Sequence, residues 1–247
     1  MSDTLVIIPA FNESEALPRS LAELRAACPD LDVVVIDDGS IDETTAVAAA
    51  AGVTVITLPY NLGIGGALRT GFLYATRHGY RRAVQYDADG QHDPALIGLL
   101  LKGLDDGADL IIGSRFASPD PEYSVSPARG GAMGLLRILV RLLTGERFTD
   151  TSSGFRGFST AMLDFFSIHY PVEYMESVEA LILAHGAGFV VREIPVRMGE
   201  REAGVPSNRR LRLVYHFLRV LVVMVVSKGA LRRTSLPGSA NTDGVER

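Results

Sequence analysis

Asp87-Ala88-Asp89-Gly90-Gln91 places two carboxylates two residues apart and a neutral amide oxygen two residues further on. Hard divalent cations such as Mg²⁺ and Mn²⁺ take oxygen ligands of this kind and fill their remaining positions with water and substrate phosphate. His92 suits so hard an ion less well. A solvated acidic turn uses the same letters, so the meaning of the segment rests on its company. Pro9-Ala10-Phe11-Asn12-Glu13 and Asp37-Asp38-Gly39-Ser40 each follow a short apolar run. An acid after the second strand of a nucleotide-binding fold can accept from a ribose hydroxyl or a base N–H, and the same residues also suit a helix-capping turn. Asn61-Leu62-Gly63-Ile64-Gly65-Gly66 opens a helical pattern. Glycines there either bring backbone N–H groups to an anion or let the helix lie close to a sheet. The segment lacks the full dinucleotide fingerprint and follows the third apolar run, which excludes an NAD fold.

The elements that must carry these residues alternate. Apolar runs at 5–8, 33–36, 53–58, 83–86 and 109–112 read as strands, with helical spacing over 15–27 and 63–78. Such alternation predicts an α/β fold, a mostly parallel sheet covered by helices on both faces. Ligands bind such sheets beyond the carboxyl ends of the strands, where every polar segment named above falls, together with Gly113-Ser114-Arg115. The second half reads as a Pro- and Ser-containing loop over 118–126, a helix over 134–143, strands over 154–159 and 190–196, a helix over 177–185, and a polar loop over 199–207. A last helix follows over 211–226, then a polar tail from 234. The expected organisation is one domain over 1–210, an interface helix within 211–233 and a disordered tail over 234–247.

The chain has 247 residues, 47% of them hydrophobic and 21% charged, enough for a core and too apolar for disorder. Its single cysteine, Cys28, excludes an intrachain disulfide and a Cys-rich zinc site and fits a reducing compartment. No signal peptide and no membrane-spanning stretch is read from the sequence. Residues 1–110 hold 16 Asp and Glu against 7 Lys and Arg, which argues against nucleic acid as a partner, whereas 111–247 hold 13 against 17. That basic and apolar half suits an anionic membrane surface.

The segments VIIPAFNESEAL, VVVIDDGSIDET, YNLGIGGALRTGF, DADGQHDP and IIGSRF, in this order, resemble the family 2 glycosyltransferases with the GT-A fold, and within them the dolichyl- and polyprenyl-phosphate sugar synthases. SGFRGFS, VREIPVRM and EREAG extend the resemblance to about residues 4–210. It implies nucleotide-sugar contacts at Pro9, Phe11, Glu13, Asp38, Asp87 and Asp89, and ligands for Mg²⁺ or Mn²⁺ at Asp87, Asp89 and Gln91. It also implies a phosphate-contacting Arg115, a second acceptor-phosphate contact at Arg129, and a donor-closing loop carrying Arg201. Many members close that loop with a Ser-Lys pair; here Glu202-Ala203-Gly204-Val205-Pro206-Ser207-Asn208 follows, and Arg209 or Arg210 is the nearest substitute.

Two acceptors follow from the chemistry. A lipid phosphate attacks as an anion and needs positioning only, whereas a hydroxyl on a soluble or lipid-linked glycan needs a carboxylate base. The candidate bases are Glu173, Glu176, Glu179 and Asp150, each of which also suits a helix start or a cap. For the lipid acceptor, Arg137 and Arg141 on the 134–143 helix, and Arg212, His216 and Arg219 on the last helix, give amphipathic elements for a membrane interface. The expected enzyme is then an inverting, metal-dependent transferase. It joins a sugar from a nucleotide-diphosphate sugar to polyprenyl phosphate, peripherally on the cytoplasmic face of the membrane, with a small membrane protein as a further candidate partner. A non-catalytic scaffold is disfavoured by the intact Asp-x-Asp-x-Gln. A nucleotidylyltransferase is excluded because the segment after the first strand is acidic and lacks glycine.

Overall fold

The computed structural model describes residues 2–117, 127–172 and 176–197. The expected loop over 118–126, Glu173, Arg201 and its loop, the helix over 211–226 and the tail lie outside the described residues, as does the side chain of Arg129. Among the described residues seven strands form one sheet in the order β3-β2-β1-β4-β6-β5-β7. They are β1 (Thr4–Ala10), β2 (Asp32–Asp37), β3 (Thr54–Thr57), β4 (Arg82–Gln85), β5 (Leu110–Ser114), β6 (Arg156–Phe158) and β7 (Val191–Pro195). All pairs are parallel except those of β6, which runs antiparallel between β4 and β5. The sheet order reverses at β1, which has β2 on one side and β4 on the other. The carboxyl ends of β1 and β4 therefore open a crevice at a topological switch point.

Among the described residues seven α-helices cover the sheet: α1 (Leu17–Ala27), α2 (Thr44–Ala50), α3 (Ile64–Arg77), α4 (Ile97–Asp105), α5 (Pro127–Thr144), α6 (Thr160–His169) and α7 (Glu176–Gly186). Alternate strand residues feed two cores. Leu5, Ile7, Val34, Ile36 and Leu110 join Leu68 and Phe72 of α3 and Phe166 of α6. Val6, Ile8, Val35, Val84 and Ile111 join Leu21 and Leu24 of α1 and Leu100 of α4. Burial on both faces is why these strands read as unbroken apolar runs.

Two boundaries differ from expectation for physical reasons. β1 continues through Pro9 to Ala10 because β2 pairs alongside it that far, Pro9 with Ile36 and Ala10 with Asp37, while the β4 pairing ends at Ile7. The N–H that Pro9 lacks would point past the end of β4, so no ladder bond is lost. Helix α5 starts at Pro127, seven residues before the expected helix, and runs through Gly130, Gly131 and Gly134. Proline favours a first helical turn, and each interior glycine costs only about 1 kcal/mol.

Candidate active site

The loops at the carboxyl ends of β1, β2 and β3 are bonded into one rim. Asn12 stands at φ +56°. Its N–H donates to Ser40 Oγ at 2.9 Å, and its Oδ1 accepts from Ile41 N–H at 3.0 Å. Glu13 N–H donates to Thr44 Oγ1 at 2.9 Å. Asp37 accepts from Ser40 N–H and from the Thr45 hydroxyl. Asp38 receives Leu62 N–H at 2.7 Å on Oδ1 and Gly63 N–H at 2.8 Å on Oδ2. Burial pushes the Asp38 carboxyl above its ordinary value against those two bonds. Asp38 thus fastens the loop that opens α3, a role the sequence did not reveal because its partners lie 24 and 25 residues away. Gly65 is a packing glycine: a Cβ there would come within 2.9 Å of the Val172 Cα and nearer still to the Pro171 carbonyl oxygen. Phe11 leaves 44% of its surface exposed, and Pro9 is half-buried.

Past β4 the chain turns through Asp87 to His92. Asp89 is buried, and its Oδ1 accepts from Gln91 N–H at 3.2 Å. Asp87 is met by His92 Nε2 at 3.1 Å on Oδ2 and by Gln85 Nε2 at 3.4 Å on Oδ1. His92 is itself buried; its ring stacks on Phe155 at 5.0 Å and 17°, and its carbonyl accepts from the Tyr86 hydroxyl. Histidine here orients a neighbouring carboxylate, and the signal for it was its position directly after the candidate ligands and six residues after a buried tyrosine. Asp87, Asp89 and Gln91 offer only hard oxygen donors from one turn, the donor set that Mg²⁺ and Mn²⁺ use. Among the described residues no group of three or more His, Cys, Asp or Glu forms a full cage. One or two carboxylates completed by substrate phosphate is the usual way Mg²⁺ is held.

Arg115, after β5, meets Asp150 in a two-pronged pair. Its Nε lies 2.6 Å from Oδ2 and its Nη2 2.7 Å from Oδ1, its backbone N–H adds a bond at 3.2 Å, and Nη2 also reaches Ser152 Oγ. Both residues are buried. Burial opposes the Asp150 charge, but the hydrogen bonds and charge of Arg115 outweigh it and hold the carboxyl below its usual range. Asp150 is held from the other side as well: its N–H and that of Thr149 donate to Glu193 of β7. Phe116 carries the Arg115 guanidinium 5.5 Å from its ring centroid and that of Arg137, from α5, at 4.6 Å. Removing Asp150 strands a buried guanidinium, so Asp150→Ala should lower the unfolding free energy in urea by about 3–5 kcal/mol. Because the folded-state pKa is depressed, this contribution is complete above the unfolded carboxylate pKa, about 3.9, and disappears as pH falls through the folded value.

Comparison with known proteins follows the same lines. A family model described as glycosyl transferase family 2 matches residues 5–169. The polyprenol monophosphomannose synthase of Mycolicibacterium smegmatis is 34% identical over 82% of this chain and 79% of its own length. The undecaprenyl-phosphate mannosyltransferase of Micrococcus luteus is 33% identical over 81% of this chain and 85% of its own. Among solved structures, glucosyl-3-phosphoglycerate synthase from Mycobacterium tuberculosis, crystallised with Mn²⁺, uridine diphosphate and phosphoglyceric acid, superposes with a TM-score of 0.69 at 21% identity. It covers 96% of this chain and 80% of its own, a likeness of fold.

Proposed function

This chain belongs to glycosyl transferase family 2 and is a glycosyltransferase with the GT-A fold, and we propose that it moves a sugar from a nucleotide-diphosphate sugar to polyprenyl phosphate with inversion. The observation that carries this reading is the state of the candidate bases. Asp150 is locked by Arg115 and kept ionised. Glu176 is buried, accepts from the Ser177 hydroxyl at 2.6 Å, and is raised above its ordinary pKa by burial. Glu179 has contacts of its own. A hydroxyl acceptor needs a carboxylate poised to take its proton; a phosphate acceptor arrives ionised and does not. The names of the two mannosyl-transferring relatives point to the same lipid acceptors.

In this reading a phosphate oxygen attacks C1 of the sugar on the face opposite the diphosphate. The new C1–O bond forms as the bond to the diphosphate breaks, and a nucleoside diphosphate leaves. A Mg²⁺ or Mn²⁺ held by Asp87, Asp89 and Gln91 would neutralise charge on the departing diphosphate. The rim of Pro9, Phe11, Glu13 and Asp38 borders the nucleotide, with Phe11 offering an exposed ring. Arg115, fixed by Asp150 and Ser152, is assigned the phosphate contact beside the fifth strand, and Arg137, seated on Phe116, adds positive charge for the incoming phosphate. Arg129 and Arg201 are assigned the second acceptor contact and the donor-closing contact.

Helix α5 supports a membrane-borne acceptor. Leu135, Ile138 and Leu142 are 50%, 59% and 73% exposed and share one stripe at positions i, i+3 and i+7. Arg137 and Arg141 stand on the same helix. An apolar stripe beside arginines suits the boundary between lipid headgroups and acyl chains. Among the described residues no helix is long and apolar enough to cross a membrane. We place the enzyme peripherally on the cytoplasmic face, with the membrane surface as its partner and no accessory protein proposed. The test supplies a panel of radiolabelled nucleotide-sugars, Mn²⁺ or Mg²⁺, and polyprenyl phosphate in vesicles. Label should enter the organic phase and be released by mild acid; label confined to water-soluble product would overturn the reading.

A further inference from the structure

Asp87 has a third neighbour besides His92 and Gln85. A Cβ on Gly154 would fall 2.8 Å from Asp87 Oδ1 and closer still to Oδ2, so both carboxylate oxygens face the glycine across the space a methyl would fill. Gly154 is not among the glycines with positive φ, so its backbone does not require glycine; what excludes a side chain there is the space filled by Asp87. The turn that carries Gly154 is fastened from beneath by Arg156, which is fully buried on β6 in register with Gln85 of β4. Its Nε donates to the Ser153 carbonyl at 2.8 Å, its Nη2 to that of Thr151 at 3.3 Å, and its Nη1 to that of Ser177 at the start of α7 at 3.1 Å. One guanidinium therefore ties both limbs of the turn to α7, and burying a cation for such a purpose is costly in a region that needs only structure. The same segment begins at Asp150, which holds Arg115.

We propose that the turn Thr151–Phe155, fastened by Arg156, is the device that sets the Asp87 carboxylate for the divalent cation, with Gly154 and Arg156 as positioning residues. This rests on the reading of Asp87 as a cation ligand. His92 and Gln85 hold the carboxylate through its oxygens, and the missing side chain of Gly154 leaves the room those oxygens occupy. A methyl at position 154 must displace those oxygens, and with them the bonds to His92 and Gln85. Groups that orient a ligand in this way change metal affinity by about 10–100-fold when altered.

The experiment titrates Mn²⁺ into the full chain in the presence of a nucleoside diphosphate, by calorimetry and by the Mn²⁺ paramagnetic resonance signal. Gly154→Ala should weaken Mn²⁺ about 10–100-fold with an unchanged circular dichroism spectrum. A thermal-unfolding cycle without metal provides a second readout: Gly154→Ala should lower Tm in the natural background, and the loss should largely vanish beside Asp87→Ala, where no carboxylate is left to displace. Arg156→Lys keeps the charge but cannot reach three carbonyls, and should weaken Mn²⁺ in the same direction. Unchanged Mn²⁺ affinity in Gly154→Ala, or an equal Tm loss in both backgrounds, overturns the proposal. If instead the natural chain binds no Mn²⁺, the ligand assignment fails, while the Tm cycle still reports on the contact between Gly154 and Asp87.

Discussion

Asp89→Ala should lower kcat/KM by at least about 10³-fold, equivalent to roughly 4 kcal/mol of lost transition-state stabilisation, while leaving the fold intact. Asp89 sits in a turn, and the bond it accepts from Gln91 N–H at 3.2 Å is worth about 1 kcal/mol. The chemical cost is large, because the variant removes one of the two charges offered to a hard cation, and with it the neutralisation of the leaving diphosphate. Asp89→Asn keeps a neutral oxygen and should fall between. Asp87→Ala is the less clean experiment: it also unseats His92 and empties the space against Gly154. Steady-state rates at saturating Mn²⁺, with Mn²⁺ binding measured in parallel, check the prediction. A rate within about threefold of the natural enzyme would remove Asp89 from the cation site.

Why this residue was legible from sequence and its neighbours were not is a matter of range. Val33 to Ile36 and Leu5 to Ile8 announce themselves because a strand buried on both faces is a local apolar run, and the switch point locates the crevice once the strands are known. Asp87, Asp89 and Gln91 share one turn, so their chemistry is written within five letters. The supporting contacts span long separations. Asp38 meets backbone groups beyond the third strand, and Asp150 meets Arg115 from 35 residues away. Both aspartates were read through local alternatives, a base or ribose contact for one and a cap or catalytic base for the other, since nothing near them in sequence names a partner. Gly154 carries even less signal: its significance is a volume occupied by Asp87, from the turn after β4. The antiparallel insertion of β6 between β4 and β5 is likewise a pairing choice that a three-residue strand cannot advertise.

Replacing polyprenyl phosphate by the corresponding alcohol should abolish transfer, by about 10²–10⁴-fold for the missing proton transfer alone. The alcohol must lose a proton as it attacks, and among the described residues neither Asp150 nor Glu176 is placed to take it. Asp150 would have to give up Arg115, leaving a buried guanidinium unpaired. Glu176 is shielded from water, and its Oε1 is taken by the Ser177 hydroxyl. The same facts predict that Glu176→Gln, which keeps the shape and an oxygen for the Ser177 hydroxyl, leaves kcat with the phosphate acceptor within about threefold of the natural value. A hydroxyl-accepting enzyme gives the opposite pair of results: activity on the alcohol, and a collapse of turnover in Glu176→Gln or Glu179→Gln with donor binding retained. The profile of kcat against pH separates the two mechanisms further. With an ionised phosphate as nucleophile, the acidic limb should follow the acceptor's own second ionisation, near pH 6 for a phosphate monoester, and should shift when the acceptor is changed. With an enzyme base, that limb would stay where it is whatever the acceptor, and would move only with substitution of the carboxylate.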